Sequence, residues 1–292
     1  MTTILITGGT GLVGQLLTSK LCAKKHTVRI LTRTPKKANE FAWDISNNYI
    51  DKNAFKDVDY IKHLAGAGIA DKKWTKKRKQ EIIDSRTKSA ALLLQKIKEL
   101  KVPLRGFISA SAIGYYGAIT KQKTFTEKDK PANDFLGNVC ELWEQSALEF
   151  QKNGIQTAIL RIGIVLSKNG GALEKMKTPI ISPIASGKQF LPWIHIDDLT
   201  DMFIFVLENN LTGIFNAVAT EIQTSYSFSK LLAKKTKRLF LPFGVPAFLM
   251  QLLFGEMAII LTTGSKVSSE KIKNKGFEFS HKDLKKSLDS LV

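Results

Sequence analysis

Glycines at a spacing suited to phosphate binding lie near the start of the chain. Gly8, Gly11 and Gly14 belong to the run TGGTGLVG, directly after the apolar segment Ile4–Thr7. Glycines let a strand-to-helix turn bring its backbone close to a pyrophosphate, and the helix that follows offers free N–H groups to the anion. Gly9 can replace Gly8 in the pattern, so the spacing leaves the register open. The run predicts a dinucleotide site; the alternative is a glycine-rich turn without a ligand.

The end of the second predicted strand distinguishes between two dinucleotides. An acidic residue there binds the ribose 2′-hydroxyl of NAD, whereas a basic residue suits the 2′-phosphate of NADP. The strand predicted over Val28–Leu31 is followed by Thr32 and Arg33, with Lys36 and Lys37 behind them and no acid. We therefore expect NADP(H) rather than NAD(H). The alternative for Arg33 is a solvated charge at the end of a strand.

The elements that would position these groups alternate between strands and helices. Strands are predicted over Ile4–Thr7, Val28–Leu31, Val58–Leu64, Phe107–Ser111, Thr157–Leu160, Trp193–His195 and Ile214–Val218, and helices over Leu12–Lys25, Lys76–Leu100, Asp134–Gln151 and Asp198–Glu208. Strands separated by helices indicate βαβ units with right-handed crossovers. The pattern predicts an α/β protein with a Rossmann-type doubly wound parallel sheet, whose strands place their carboxyl ends along one ligand-binding edge.

Two regions are expected along the chain. Residues 1–220 are predicted to form the NADP-binding Rossmann domain, interrupted by a loop-rich insertion at about 167–192. Residues 221–292 are predicted to form a smaller, mainly helical domain that contacts a substrate or a partner. The apolar run Val245–Leu261 has only 17 residues and contains Gln251 and Glu256. Because it is short for a membrane span and carries a charge, a buried helix is expected.

Composition limits the other functions. The net charge is +18, but 37 of the 44 basic residues are Lys and only 7 are Arg. Proteins that read DNA favour Arg for bidentate contacts, so no nucleic-acid role is expected. Two cysteines exclude a disulfide scaffold and favour a reducing compartment, the cytoplasm. The four histidines are not at metal-ligand spacing, so no metal site is expected.

An ordered set of motifs resembles the extended short-chain dehydrogenase/reductase superfamily. These motifs are TGGTGLVG, HLAG from His63, SASAIGYYG from Ser109 and WIHIDD from Trp193. GIADKKW from Gly68, EIIDSR from Glu81 and GEM from Gly255 are similar to its epimerase-family branch, the nucleoside-diphosphate-sugar-epimerase-like proteins. That branch has a C-terminal domain of its own, and the resemblance covers essentially the whole chain.

The resemblance implies a set of cofactor contacts. It places Thr10, Gly11, Leu12 and Val13 under the pyrophosphate, Asp44 near the adenine, Leu64 and Ala65 beside the ribose and nicotinamide, and Glu81 and Arg86 within reach of the cofactor. For Arg86 the alternative is an ion pair with a nearby acid on the helix surface.

The same resemblance implies catalysis by Ser, Tyr and Lys, and here the chain departs from the pattern. Ser111 fits the Ser position, but FLGNVCELWE from Phe135 has neither the Tyr nor the Lys of a Tyr-x-x-x-Lys pair. Cys140 falls at about the Lys position. Tyr115, and after it Tyr116, are therefore the candidate proton donors, each with a pKa that no lysine lowers.

The resemblance also implies that the substrate is faced by Arg161, Trp193 and His195. Asp198 is expected to cap the helix that follows it. Two functions remain open at this point. One is an NADP-dependent oxidoreductase or sugar-nucleotide epimerase that acts on a small molecule. The other is an NADP-sensing module whose helical C-terminal region docks a partner. We expect neither a nucleic acid nor a membrane as partner, and a homodimer is left open.

Overall fold

An eight-stranded sheet forms the centre of the computed structural model, which describes residues 1–292. Its strands are β1 (Thr3–Thr7), β2 (Thr27–Thr32), β3 (Glu40–Asp44), β4 (Tyr49–Ile50), β5 (Tyr60–His63), β6 (Gly106–Ala112), β8 (Gln156–Ile162) and β12 (Gly213–Ala217). The spatial order is β12-β8-β6-β5-β1-β2-β3-β4, and only β4 runs antiparallel to its neighbour. Three smaller pairs lie outside this sheet: β7 (Thr124–Phe125) with β14 (Lys266–Val267), β9 (Ile164–Leu166) with β11 (Trp193–His195), and β10 (Ile180–Ile181) with β13 (Leu239–Phe240).

Helices cover both faces of the sheet. They are α1 (Leu12–Ala23), α2 (Lys76–Glu99), α3 (Phe135–Lys152), α4 (Ala172–Met176), α5 (Ile196–Glu208), α6 (Ser225–Thr236), α7 (Ala247–Phe254), α8 (Ile259–Thr262), α9 (Glu270–Lys273) and α10 (Leu284–Leu291). Successive strand residues point to opposite faces, so Ile4 and Ile6 pack with Leu17 of α1, while Leu5 packs with Leu93 of α2. The doubly wound parallel sheet is therefore as predicted.

The C-terminal region is mainly helical, but it shares its core with the sheet domain. Ile272, Phe277 and Phe279 belong to the same apolar cluster as Ile4 and Ile6. Strand β14 pairs with β7, and β13 pairs with β10 inside the predicted insertion. The end of the chain is thereby attached beside the carboxyl ends of the central strands.

The expected buried helix over Val245–Leu261 is wrong. The run divides into α7, a 3₁₀ turn over Gly255–Ala258 and α8, and no residue of α7 is buried. Phe248 and Leu252 are 66% and 74% exposed. Apolarity on every side usually indicates a buried helix, but here no other element packs over the outer face. No helix is both long enough and apolar enough to span a bilayer.

Candidate functional site

The glycine turn joins β1 to α1 and leaves no room for side chains. Gly8 has a φ of +70°, and a Cβ there would lie 2.9 Å from the carbonyl carbon of Leu64. A Cβ on Gly14 would lie 2.2 Å from the carbonyl oxygen of Gly8. Gly9 instead packs against the side chain of Ile30, where a Cβ would meet Ile30 Cγ2 at 2.8 Å. Gly8 and Gly14 therefore make the tight turn, and Gly9 provides contact with β2.

The start of α1 is open to an anion. Gly11 occupies the N-cap position, and no side chain caps the helix. The first N–H groups of a helix have no partner within the helix, so those of Leu12 and Val13 remain available. The same elements that exclude a Cβ thus fit the close approach of a pyrophosphate.

Two neighbouring strand ends extend this edge. The N–H of Leu64 donates to the carbonyl oxygen of Thr7 over 3.1 Å, and that of Ala65 donates to the Thr7 side-chain oxygen over 3.2 Å. These bonds fix the segment after β5 beside the glycine turn. Arg33 follows β2, is exposed, and has no carboxylate within 4.0 Å. It is therefore free to bind an anion near this edge.

Asp44 ends β3 and closes a turn. Its carboxylate accepts hydrogen bonds from the N–H of Ser46 over 2.8 Å and from the Asn47 side chain over 2.8 Å. Hydrogen bonds from Asn47 lower the pKa of Asp44. Because β2 and β3 are parallel neighbours, Asp44 and Arg33 lie at the same edge of the sheet.

A cavity of about 220 Å³ opens at the carboxyl ends of β6 and β8. Its walls come from the segment after β6, from α3, from the segment after β8 and from residues 260–267. Fifteen of its 23 lining residues are hydrophobic, and Arg86 is the only charged residue among them. The registers Thr7–His63 and His63–Ser109 place the end of β6 on the same edge as the glycine turn. The cavity is thus suited to an apolar ligand beside the dinucleotide site.

The face of α3 that lines this cavity has no base. Leu136 and Cys140 lie one helical turn apart on the wall, at the positions where the resemblance places Tyr and Lys. Burial raises the pKa of the Cys140 thiol to about 12, so this thiol is neutral at physiological pH. Proton transfer by a Tyr–Lys pair cannot take place at this helix.

A buried ion pair occupies the space behind the cavity wall. Arg161 donates two hydrogen bonds of 2.8 Å to the two oxygens of Glu144, and the Ser111 hydroxyl donates to Glu144 over 2.7 Å. Arg161 also donates to the Tyr116 hydroxyl over 3.0 Å, and Tyr116 donates to Asn216 over 2.7 Å. Although burial disfavours the cation, Glu144 raises the pKa of Arg161. Every member of this network has its hydrogen bonds satisfied within the protein.

The network determines where the predicted catalytic residues lie. Tyr116 lines the cavity, whereas Ser111, Tyr115 and Arg161 are not among the lining residues. Burial raises the pKa of Tyr116 to about 12 and also raises that of Tyr115. The Arg161 guanidinium stacks on the Tyr115 ring, with 3.3 Å from Cζ to the centroid. Of the two candidate tyrosines, Tyr116 rather than Tyr115 thus reaches the cavity wall.

Trp193 and His195 are not brought to the cavity. Trp193 packs in a separate apolar cluster with Leu166 and Phe228. His195 stacks on His281 with ring centroids 3.5 Å apart. Both side chains are buried in contacts with the C-terminal region, which corrects their expected placement beside the substrate.

The cap of α5 also differs from the expectation. His195 Nδ1 accepts the N–H of Asp197 and caps the helix. The Asp198 carboxylate instead accepts the N–H groups of Ser280 and His281 over 2.9 and 3.0 Å. Asp198 therefore anchors the C-terminal segment to the sheet domain.

Glu81 and Arg86 differ in environment, although both lie on α2. Glu81 is exposed and pairs with Arg78 over 2.8 Å. Arg86 is 9% exposed and has no carboxylate within 4.0 Å, so the ion pair considered for it does not form. Its Nη1 donates instead to the carbonyl oxygens of Ala67 and Ile82 over 3.0 and 2.9 Å.

The sequence reasoning missed Leu136 and Glu144 as determinants of the site. Both lie on the inward face of α3, at four-residue spacings from Cys140. A glutamate in register with apolar residues on a helix is a signal, because a buried carboxylate requires a cationic partner. That signal could have found Glu144, although not its partner on β8.

Residues 4–217 match the NAD dependent epimerase/dehydratase family, and residues 245–291 match a domain of unknown function, DUF1731. The epimerase family protein SH2119 of Staphylococcus haemolyticus is 34% identical over 300 residues, which cover 100% of this chain and 99% of that protein. The chloroplastic SDR39U1 homolog of Arabidopsis thaliana is 33% identical over 306 residues, covering 99% and 86% respectively.

A solved structure has the same architecture. The human epimerase family protein SDR39U1 (isoform 2), crystallised with NADPH, superposes with a TM-score of 0.89 and 28% identity, covering 99% of both chains. Together with the matches above and the doubly wound sheet, this likeness establishes that the chain belongs to the NAD dependent epimerase/dehydratase family, within the extended short-chain dehydrogenase/reductase superfamily.

Proposed function

We propose that this protein binds NADP(H) and catalyses hydride transfer between it and an apolar carbonyl or alcohol compound. The observation that carries this proposal is the apolar cavity at the ends of β6 and β8, on the same sheet edge as the glycine turn. Ligands of open α/β sheets bind at this edge. A cavity lined mainly by hydrophobic side chains favours an apolar substrate.

The glycine turn and the ends of β2, β3 and β5 lie at one edge of the sheet, which we call the cofactor edge. Their residues support the binding of NADP(H). The N–H groups of Leu12 and Val13, with Thr10 and Gly11 before them, would hold the pyrophosphate. The exposed Arg33 would pair with the 2′-phosphate, Asp44 would lie near the adenine, and Leu64 and Ala65 would line the ribose side. The human relative with 28% identity was crystallised with NADPH, which agrees with this choice. When bound, this cofactor supplies or accepts the hydride.

Proton transfer distinguishes reduction from sugar epimerisation. Tyr116 lines the cavity, and its pKa of about 12 keeps its hydroxyl protonated. That hydroxyl donates to Asn216 over 2.7 Å, so Tyr116 would serve as a proton donor only after exchanging this bond for one to the substrate. Removing a proton from a sugar hydroxyl requires a base near neutral pH, and none of the α3 residues that line the cavity is such a base; they are Leu136, Val139, Cys140 and Trp143. An apolar wall also lacks the polar groups that a sugar nucleotide requires. We therefore favour a reductase over an epimerase.

The second candidate function is an NADP-responsive binding module. The buried network favours this binding role, because Ser111 and Arg161 donate hydrogen bonds to Glu144 rather than to a ligand. In that case the cofactor would change the surface that a partner recognises.

Hydride transfer from deuterated NADPH separates the two candidates. We would incubate the protein with NADPH deuterated at C4 and with straight-chain aldehydes, ketones, keto acids and UDP-glucose, and follow deuterium by mass spectrometry. Deuterium in an apolar carbonyl compound supports the reductase. NADPH binding without transfer to any compound supports the module. Epimerisation of UDP-glucose in a parallel incubation with NADP⁺, which would accept and return the hydride, would contradict both if no carbonyl compound is reduced.

We also propose a cytoplasmic location, because two cysteines without a disulfide suit a reducing compartment. A homodimer stays a proposal that sedimentation would test.

A further inference from the structure

Helix α7 and the turn before it present an apolar surface that no other part of the chain covers. Residues 239–255 include no charged side chain, and Gln251 is the one amide among them. Five large apolar side chains are exposed here, and we call them the α7 face: Phe243, Phe248, Leu249, Leu252 and Leu253. Exposed apolar side chains that adjoin one another on a folded protein mark an interaction surface.

The α7 face belongs to a folded segment that is attached at both ends. Before α7, the N–H of Val245 donates to the carbonyl oxygen of Pro183 over 2.9 Å, and the N–H of Ala185 donates to the Val245 carbonyl oxygen over 2.8 Å. After α7, Met257 and Ala258 are buried. The exposure of α7 therefore results from the way the segment packs and not from a frayed terminus.

A group of cations adjoins the C-terminal end of α7. Lys79 Nζ, in the first turns of α2, lies 2.6 Å from Oε1 of Glu256, just after α7. The other acids nearby, Asp71 and Glu81, lie 3.9 and 2.8 Å from the Arg78 guanidinium. Four further lysines at the start of α2 are exposed and have no carboxylate within 4.0 Å, and we call them the lysine cluster: Lys72, Lys73, Lys76 and Lys77.

Apolar side chains next to unpaired lysines match the surface of an anionic bilayer. Its interfacial region takes up apolar side chains of a helix that lies along it, and its head groups attract cations at the margin of that helix. A second copy of this chain fits less well, because a symmetric contact through the α7 face would bring two lysine clusters close together. The net charge of +18 adds to that repulsion.

We propose that the α7 face and the lysine cluster dock this protein on the surface of an anionic lipid bilayer. Helix α7 has eight residues, so it would lie in the interfacial region without crossing it. The inference goes beyond the proposed function and does not depend on hydride transfer. It replaces the expectation of no membrane partner, which assumed that Val245–Leu261 is buried.

The cavity lies beside this surface. Helix α8 follows α7 after one 3₁₀ turn, and its Ile260 lines the cavity. Apolar compounds partition into bilayers, so docking would place the cavity close to a source of apolar substrates. This consequence rests on the proposed function, whereas the docking itself does not.

Sedimentation with lipid vesicles tests the docking. We would mix the full chain, without cofactor or substrate, with vesicles of phosphatidylcholine alone or with about 30% phosphatidylglycerol added. We expect at least about tenfold tighter binding to the anionic vesicles, and a loss of this preference at about 1 M salt. No binding to the anionic vesicles, or equal binding to both kinds, would overturn the proposal.

A serine substitution locates the apolar contact. Leu252→Ser should weaken binding to the anionic vesicles about tenfold, because the exposed leucine no longer enters the interface. The control is Leu100→Ser, which removes an exposed leucine at the opposite end of α2 and should change vesicle binding by less than about twofold. Undiminished binding of Leu252→Ser, with the control unchanged, would contradict the position of α7 in the interface.

Two double variants locate the charges. Lys76→Gln with Lys77→Gln should weaken binding to the anionic vesicles about tenfold. Lys98→Gln with Lys101→Gln removes the same charge at the other end of α2 and should have an effect below about twofold. Equal losses in the two double variants would show that binding follows the net charge alone, which would overturn the role of the lysine cluster.

Analytical ultracentrifugation addresses the other occupant of the α7 face. The proposal predicts that the oligomeric state in the absence of vesicles is the same for the wild-type protein and Leu252→Ser. A wild-type dimer that Leu252→Ser converts to monomers would show that a second copy covers the α7 face, and would overturn the proposal.

Discussion

The cofactor edge and the substrate cavity lie side by side on the sheet, yet they are built in different ways. Backbone geometry makes the cofactor edge: a turn without Cβ atoms at Gly8 and Gly14, an uncapped helix and two bonded strand ends. Side chains make the cavity, and those expected of the superfamily have been replaced. Leu136 and Cys140 stand where a tyrosine and a lysine are expected, and the cation Arg86 comes from α2.

This difference shows that cofactor binding depends on the backbone of the fold, whereas proton transfer depends on particular side chains. The phosphate-binding turn is retained when the strand, turn and helix are retained, because its hydrogen-bond donors are backbone N–H groups. A proton-transfer centre requires particular side chains, and the fold remains intact without them. In this chain Leu136 and Cys140 occupy that part of the cavity wall, and behind it Glu144 pairs with Arg161.

The largest effect is expected from the buried ion pair. Glu144→Gln should lower the free energy of unfolding by about 3–5 kcal/mol, because it leaves Arg161 charged and without its partner. Urea denaturation measures this change, and NADPH affinity of the folded variant should stay within about twofold of wild type. The matched control is Glu149→Gln on the exposed face of the same helix, where loss of the pair with Lys152 should cost less than about 1 kcal/mol. Equal losses in the two variants would show that the network is not structural.

At the cofactor edge, a substitution should lower NADPH affinity more than it lowers stability. In Gly14→Ala the new Cβ would lie 2.2 Å from the Gly8 carbonyl oxygen, so the turn must open. We expect NADPH affinity to fall by about 100-fold, equal to about 2.7 kcal/mol. Gly154→Ala serves as control, because no atom lies within 4 Å of its Cβ position, so that only its own positive φ of +80° opposes the new side chain. It should lower stability slightly and leave NADPH affinity unchanged.

The buried His63, at the end of β5 between the two regions, should make stability depend on pH. Burial lowers its pKa to about 3, and the nearby Arg86 charge adds to this effect. The unfolded chain binds a proton near pH 6.5 that the folded chain does not bind. The free energy of unfolding should therefore fall as the pH drops below 6.5, by roughly 2 kcal/mol between pH 7 and pH 5. His195, with a pKa lowered to about 4, adds a similar dependence.

A comparison of urea denaturation at the two pH values isolates the contribution of His63. His63→Gln should reduce the loss of stability on acidification, while the dependence due to His195 should persist. If the variant loses as much stability as the wild-type protein, His63 does not contribute in this way.

A smaller effect is expected at the end of β2. Arg33→Ala should weaken NADPH binding about tenfold and leave NADH binding nearly unchanged, because only the 2′-phosphate contact is lost. Lys36→Ala, nearby in the sequence, is the control and should change neither affinity by more than about twofold. Equal losses for NADPH and NADH would contradict the assignment of Arg33.

The smallest effect concerns nucleic acids. The lysine-rich surface should bind duplex DNA only weakly and with strong salt dependence. Submicromolar affinity at about 150 mM salt would contradict this expectation.

Sequence patterns predicted the features that depend on local spacing. The apolar run Ile4–Thr7 and the glycines that follow it are properties of neighbouring residues, so this strand and the glycine turn were predictable. The exposure of Val245–Leu261 was not predictable, because the apolar composition of a segment does not show which elements pack against it. The short β3 was also missed, since it bears Glu40 and Asp44 at its ends.

The cavity depended on contacts between distant elements. Glu144 and Arg161 lie on α3 and β8, and spacing does not predict that they form a pair. The inward direction of Arg86 results from the packing of α2 and from the space left at Gly66. The absence of the Tyr–Lys pair was readable from the sequence, whereas the groups that replace it required the fold.

The pH dependence of hydride transfer tests the central claim most directly. We would measure single-turnover oxidation of NADPH with the best carbonyl substrate from the deuterium experiment between pH 6 and pH 9. The account predicts a rate constant that varies by less than about twofold, because Tyr116 and Cys140 both have pKa values of about 12 and no base lines the cavity. A sigmoidal profile with a pKa in this range that disappears in Tyr115→Phe would contradict it, since a titrating catalytic tyrosine would then be present.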